Sequence, residues 1–244
     1  MNRIRFSVTV ILLAVTAIAQ SANGQLIDDF SGDLSNYTPT VILDVNAGAT
    51  NGTAFAINGG ILELNTSTYD DIEQLAFIFD GLTLGVGEEL QADIPGTING
   101  NRNLGLYVGG SQPTTGVRED YISVYGGSNN NNRIFSRGFD GATEYDNPGA
   151  NPTDGTSISQ LFIARTDTNT FEAGFYDTTL GRVIVTERTP DFANTADFVG
   201  IYADVRAAGD LGSLDNLRVV PEPSSLLMFG LSTFGLLVIR RRRS

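Results

Sequence analysis

The 244-residue chain contains no cysteine, no histidine, no tryptophan and no lysine. Without cysteine it forms no disulfide and runs no thiol chemistry. Without histidine it has neither the commonest general base, nor a Ser-His-Asp triad, nor an imidazole metal site. Without lysine it forms no Schiff base. Tryptophan, the favoured stacking platform for sugar rings, is missing too. All 15 basic residues are arginine, and composition offers no physical reason for that choice. Long amphipathic helical patterns and internal repeats are also absent.

What the chain does have is concentrated first at its ends. Arg3 and Arg5 precede an apolar stretch from Val8 to Ala19, and small residues follow at Ala22-Asn23-Gly24. That is the three-part layout of a secretory signal peptide, read here as residues 1–24 with the mature chain beginning at Gln25. Cleavage after Ala19 and an uncleaved anchor are the alternatives. The order implies a secretion translocon and a signal peptidase as partners. Six arginines (Arg3, Arg5 and Arg240 to Arg243) lie in the end segments, and only Glu222 of the 28 acidic residues does. The body therefore carries 27 acidic and nine basic residues, a net of −18. Such a surface repels nucleic acid and anionic lipid.

The other end reads Pro221-Glu222-Pro223, an apolar run over 224–239, then Arg240-Arg241-Arg242-Arg243. As a helix the run reaches only ~24 Å at ~1.5 Å per residue, short of a ~30 Å hydrocarbon core. Local thinning and snorkelling arginines would complete the span. The arginine cluster predicts a cytoplasmic C-terminus with the body outside, the same topology as the signal peptide. Each proline removes a backbone donor and biases its predecessor towards extended geometry, which predicts an accessible strip before the membrane. A plain linker is the bland alternative. In this order at the terminus, residues 220–244 resemble the PEP-CTERM sorting signal. The resemblance implies recognition by exosortase, transient inner-membrane insertion, and delivery to the cell surface or the extracellular polysaccharide matrix.

Residues 25–219 show period-two patterning. Leu104, Leu106 and Val108 alternate with Asn103, Gly105 and Tyr107, and Ile122 and Val124 alternate with Tyr121, Ser123 and Tyr125. Phe171, Ala173 and Phe175 behave likewise, and Asn58-Gly59-Gly60 separates two short runs as a hairpin signal. About a dozen short strands with frequent turns predict an all-β antiparallel sandwich or jelly roll. Asp28-Asp29-Phe30-Ser31-Gly32-Asp33-Leu34 at the opening, Gly59-Gly60-Ile61-Leu62, and Leu214-Asp215-Asn216-Leu217-Arg218-Val219 at the close resemble concanavalin A-like (LamG-type) jelly rolls. That family implies two facing sheets with the first and last strands paired, and carbohydrate binding on one sheet.

Three sets of side chains compete for a chemical role. Glu89, Gln91 and Asp93 share one face of a predicted strand, and jelly-roll glucanases carry their carboxylates in a similar pattern. Retaining hydrolysis needs carboxyls ~5.5 Å apart, which positions i and i+4 reach only across a bulge. A solvated strand face is the simpler reading, and Asp70, Asp71 and Glu73 read as a loop and strand start. Tyr107, Tyr121 and Tyr125 fall on the polar side of their strands, where aromatics stack on sugars. Arg133 and Arg137 share a face and suit bidentate contacts to acidic sugars. Tyrosines packed at a sheet edge are the alternative. Asp28, Asp29 and Asp215 lie near strand ends that the resemblance would pair, and their oxygens suit a structural calcium. No other cofactor is implied. The expectation is a non-enzymatic exported protein that binds glycan or builds the matrix, with a polysaccharide hydrolase as the alternative.

Overall fold

The computed structural model describes residues 24–45, 55–64, 73–95, 103–126, 133–146, 148–154, 156–191, 195–205 and 212–222. Residues 1–23 of the expected signal peptide, Asp70, Asp71, Pro223, the apolar run and the arginine cluster lie outside them. The described residues form strands only. In chain order these are β1 (Gln25–Asp28), β2 (Tyr37–Asp44), β3 (Phe55–Asn58), β4 (Ile61–Leu64), β5 (Glu73–Phe79), β6 (Glu88–Asp93), β7 (Leu104–Gly109) and β8 (Tyr121–Gly126). The series continues with β9 (Ile134–Asp140), β10 (Thr143–Glu144), β11 (Gly149–Ala150), β12 (Ile158–Asp167), β13 (Thr170–Asp177), β14 (Gly181–Arg188), β15 (Phe198–Val205) and β16 (Ser213–Pro221).

They assemble into two eight-stranded antiparallel sheets of a jelly roll. The first has the order β14-β13-β12-β6-β16-β4-β3, with β1 added on β16. The second has the order β10-β9-β8-β7-β15-β5-β2, with β11 added on β9. The first and last strands therefore pair, Gln25 opposite Val219. The predicted hairpin is present: Asn58 faces Ile61, and Gly59 and Gly60 both have positive φ (62° and 85°). Two such residues make a type I′ turn, one of the primed turns whose twist matches that of the flanking strands.

Apolar alternation places one core between the sheets. Leu90, Leu161, Ile163, Phe171 and Phe175 of the first sheet meet Leu106, Val108, Ile122, Val124, Val199 and Ile201 of the second, all at most 1% exposed. The opening and closing motifs are structural. Asp28 Oδ1 accepts the Phe30 N–H at 2.7 Å, turning the chain so that Phe30, at φ 51°, plugs the core. In β16 the register against β6 shifts between Asp215 and Arg218, with Asn216 at φ 49°. That bulge sends both Leu214 and Leu217 into the core, three residues apart.

Two features depart from the strand pattern. The outer face of the second sheet is not polar. Ile42, Ala76, Ile78, Tyr107, Tyr121, Tyr125, Phe139 and Tyr202 form a second buried cluster there, so β7 and β8 are buried on both sides. And the last strand does not stop at residue 219. It runs on to Pro221, opposite Glu88 of β6, and the Glu222 N–H donates to the Gly87 carbonyl at 2.8 Å. Proline is tolerated at a strand end because no further ladder donor is required of it.

Loops are tied down by carboxylates. Asp177, 2% exposed, accepts the N–H groups of Thr153, Thr179 and Leu180 and the hydroxyls of Thr153 and Ser157. Burial pushes its pKa up, but these donors outweigh it and hold the carboxyl below the usual aspartate range.

Two outcomes follow from these contacts. A Cβ at Gly105 would lie 1.8 Å from the Val124 carbonyl oxygen, so Gly105→Val should cost about 3 kcal/mol or more in a urea titration. For Asp177 the folded pKa is depressed, so its stabilisation is present above the unfolded value of about 3.9 and is lost as pH falls through the folded one. Asp177→Asn should be less stable at neutral pH and show a shallower acid decline, measured by denaturation across a pH series.

Candidate functional site

The outer face of the first sheet carries the acidic strand singled out by sequence. Alternation along β6 does bring Glu89, Gln91 and Asp93 onto one face, and neighbouring strands supply their partners. Arg182 on β14 donates from Nε and Nη2 to Glu89 Oε2 (3.1 and 3.0 Å) and from Nη1 to Glu172 Oε2 (2.6 Å). Its guanidinium also lies 4.0 Å over the Phe162 ring. The Tyr176 hydroxyl and the Gln91 amide donate to Glu89 Oε1 (2.8 and 2.7 Å). Arg218 on β16 donates to Gln91 (3.0 Å) and Asp93 (2.6 Å), and Gln160 and Asn216 complete Asp93.

The result is a polar network across β14, β13, β12, β6 and β16 in which two arginines are shared among three carboxylates. Glu89 is fully buried. Burial pushes the Asp93 carboxyl up, but Arg218, Asn216 and Gln160 hold it below the usual range. Burial would lower the Arg182 pKa, and Glu172 and Glu89 raise it instead. The β6–β12 register is unbroken from Glu88 to Asp93, so no bulge shortens the spacing. Four residues of strand separate the two carboxylate positions by about 13 Å at ~3.3 Å per residue, beyond the ~5.5 Å or ~9.5 Å that glycoside hydrolysis uses.

The outer face of the second sheet holds the predicted tyrosines. Its register aligns Thr40, Ala76, Tyr202, Gly105, Tyr125 and Phe135 in one row. Because Gly105 presents no side chain, the Tyr125 and Tyr202 rings close over it, centroids 5.2 Å apart. Tyr107 and Tyr121 stack at 5.0 Å. These rings are 0–4% exposed, so Tyr107, Tyr121 and Tyr125 form a packed layer and present no open faces. Burial raises the pKa of Tyr107, Tyr121 and Tyr202 and keeps them neutral.

The two arginines on that face are engaged as well. Arg133 donates to the Gly149 carbonyl and lies 5.1 Å over Phe135. Arg137 Nε lies 3.4 Å from Glu144 and 3.9 Å from Asp204. Asp28, Asp29 and Asp215 each accept a nearby main-chain N–H, from Phe30, Ser31 and Asn216. Among the described residues no group of three or more acidic side chains is arranged to hold a metal ion.

Sequence reasoning missed one feature at the margin of the tyrosine layer. A recess of about 100 Å³ is lined by Thr38 and Thr40 of β2, Ile78 of β5, Asp80, Gln112, Asp197 and Phe198. Phe198 is half-buried and lines the recess, while Asp80, Gln112 and Asp197 are exposed around it. Thr38 Oγ1 donates to Asp80 Oδ1 at 3.0 Å. No motif marks these residues, because they come from four separate segments and meet only when β2, β5 and β15 pair.

Residues 219–243 match the model of the PEP-CTERM protein-sorting motif. That motif marks an exported chain whose C-terminal membrane-anchor signal is recognised by exosortase. Among curated proteins none matches this chain. In structure it is similar to the exoplasmic/lumenal domain of VIP36 in a Ca²⁺/Man2-bound form, with TM-score 0.54 and 10% identity over 82% of this chain and 88% of that one. It is also similar to LamA from Z. galactanivorans in complex with laminaritriose and laminaritetraose, with TM-score 0.50 and 10% identity over 80% and 98% of the two chains. These likenesses show the jelly-roll fold.

The polar network is testable as structure. Arg182→Met would strand the buried Glu89, an expected loss of about 3 kcal/mol in a urea titration. Adding Glu89→Gln should recover part of it.

Proposed function

We propose that the protein is a non-enzymatic component of the cell surface or the extracellular polysaccharide matrix. Exosortase processes its tail, and its sandwich binds neutral glycan at the recess around Phe198. One observation carries the ligand reading: a half-buried phenylalanine lines a recess together with two carboxylates, an amide and two hydroxyls. An apolar ring takes the C–H face of a sugar, and the oxygens around it accept from hydroxyl groups. The tyrosine layer beside the recess makes no part of its lining. Jelly rolls of this kind hold mannose in VIP36 and laminari-oligosaccharides in LamA, which gives the chemistry a precedent on the same fold.

The electrostatics favour an uncharged ligand. Asp80 and Asp197 border the recess, and Arg133 and Arg137 are committed to internal partners. An acidic polysaccharide would meet like charge there. A calcium requirement is not needed for this reading, and the hydrolase alternative has no carboxylate pair at Glu89 and Asp93 to work with.

Titration calorimetry and an array of neutral glycans, each run with and without calcium, test the proposal. Phe198→Ala should weaken binding by about tenfold, equivalent to about 1.4 kcal/mol, without changing the fold. Absence of binding to any neutral glycan would leave a purely structural role in the matrix.

A further inference from the structure

The PEP-CTERM match begins at Val219, yet the folded domain does not end there. Val219, Val220 and Pro221 pair with Leu90, Glu89 and Glu88 of β6. Gln25 of β1 lies opposite Val219 on the other side of the strand. The Glu222 N–H is bonded to Gly87, and Glu222 is 8% exposed. The first two residues of the Pro-Glu-Pro triplet are thus held in the first sheet.

In sequence, only Pro223 separates Glu222 from Ser224, where the apolar run begins. One residue supplies at most about 3.5 Å of free chain. A peptidase cleft engages an extended substrate through the same main-chain N–H and C=O groups that a sheet uses, and each residue has at most one N–H and one C=O, the prolines only the latter. The cleft and the sheet therefore compete for one stretch of backbone.

We propose that folding of the sandwich withdraws the sorting motif from exosortase. Cleavage then acts on chains whose last strand has not docked, or whose end has opened away from β6 and Gly87. Processing therefore requires the end of β16 to be open. The proposal rests on the exosortase reading of the tail and makes its cleavage depend on that opening.

The test uses the full chain in a host that contains exosortase, with pulse-labelling and intact mass of the product. A six-residue Gly/Ser spacer inserted between Val220 and Pro221 lifts the triplet off the sheet. It should speed C-terminal processing by roughly tenfold, the factor that an open population of about 10% imposes. Conversely, Leu90→Cys with Val219→Cys joins two directly paired residues in a chain that otherwise lacks cysteine. Once oxidised it should accumulate uncut, and reduction should restore cutting, while each single variant is processed like the unmodified chain. Equal rates for the spacer variant, the cross-linked chain and the unmodified chain would overturn the occlusion and leave the exosortase reading intact. Absence of any C-terminal cut in the unmodified and spacer chains would overturn both.

Discussion

Pairing of β16 inside the first sheet is the interaction on which the rest of the molecule depends. This last strand lies between β6 on one side and β4 and β1 on the other. Through its bulge it seats Leu214 and Leu217 in the core. Through Arg218 it completes the polar network that runs to Arg182 on β14. Its end carries the start of the sorting motif. The strand that closes the fold is thus also the one that connects the domain to its export signal, so folding and processing share a segment.

Arginine has a structural purpose here that composition could not supply. Arg165 donates to the carbonyls of Leu84 and Thr168 and lies over Phe171. Arg182 clamps two glutamates and lies over Phe162, and Arg118 and Arg188 lie over Phe139 and Tyr145. A planar guanidinium both stacks and forks, which an ammonium cannot do. With the described arginines so engaged, the acidic surplus is left facing solvent. A neutral glycan fits that surface better than a charged one.

Much of the fold was legible because it rests on local alternation. The Asn58-Gly59-Gly60 turn and the β7, β8 and β13 patterns lie where period two put them, and the terminal strands pair as the opening and closing motifs implied. The site was less legible. Alternation says which side of a strand a residue takes, but not what covers that side, so Tyr107, Tyr121 and Tyr125 read as a polar face and sit in a second buried cluster. Glu89 and Asp93 looked like solvated carboxylates because their partners Arg182 and Arg218 are some 90 and 125 residues away along the chain. The Phe198 recess had no linear signature. Pro221 and Pro223 suggested an accessible strip, yet sheet pairing extends as far as a proline at a strand end permits.

Hydrogen exchange at the Glu222 amide tests the central claim most directly. In the purified, folded full chain this proton should exchange about tenfold more slowly than in an open peptide, the protection that an end open about 10% of the time retains. Exchange at the open-peptide rate while β6 remains protected would show that the last strand ends before the sorting motif, and would contradict the account.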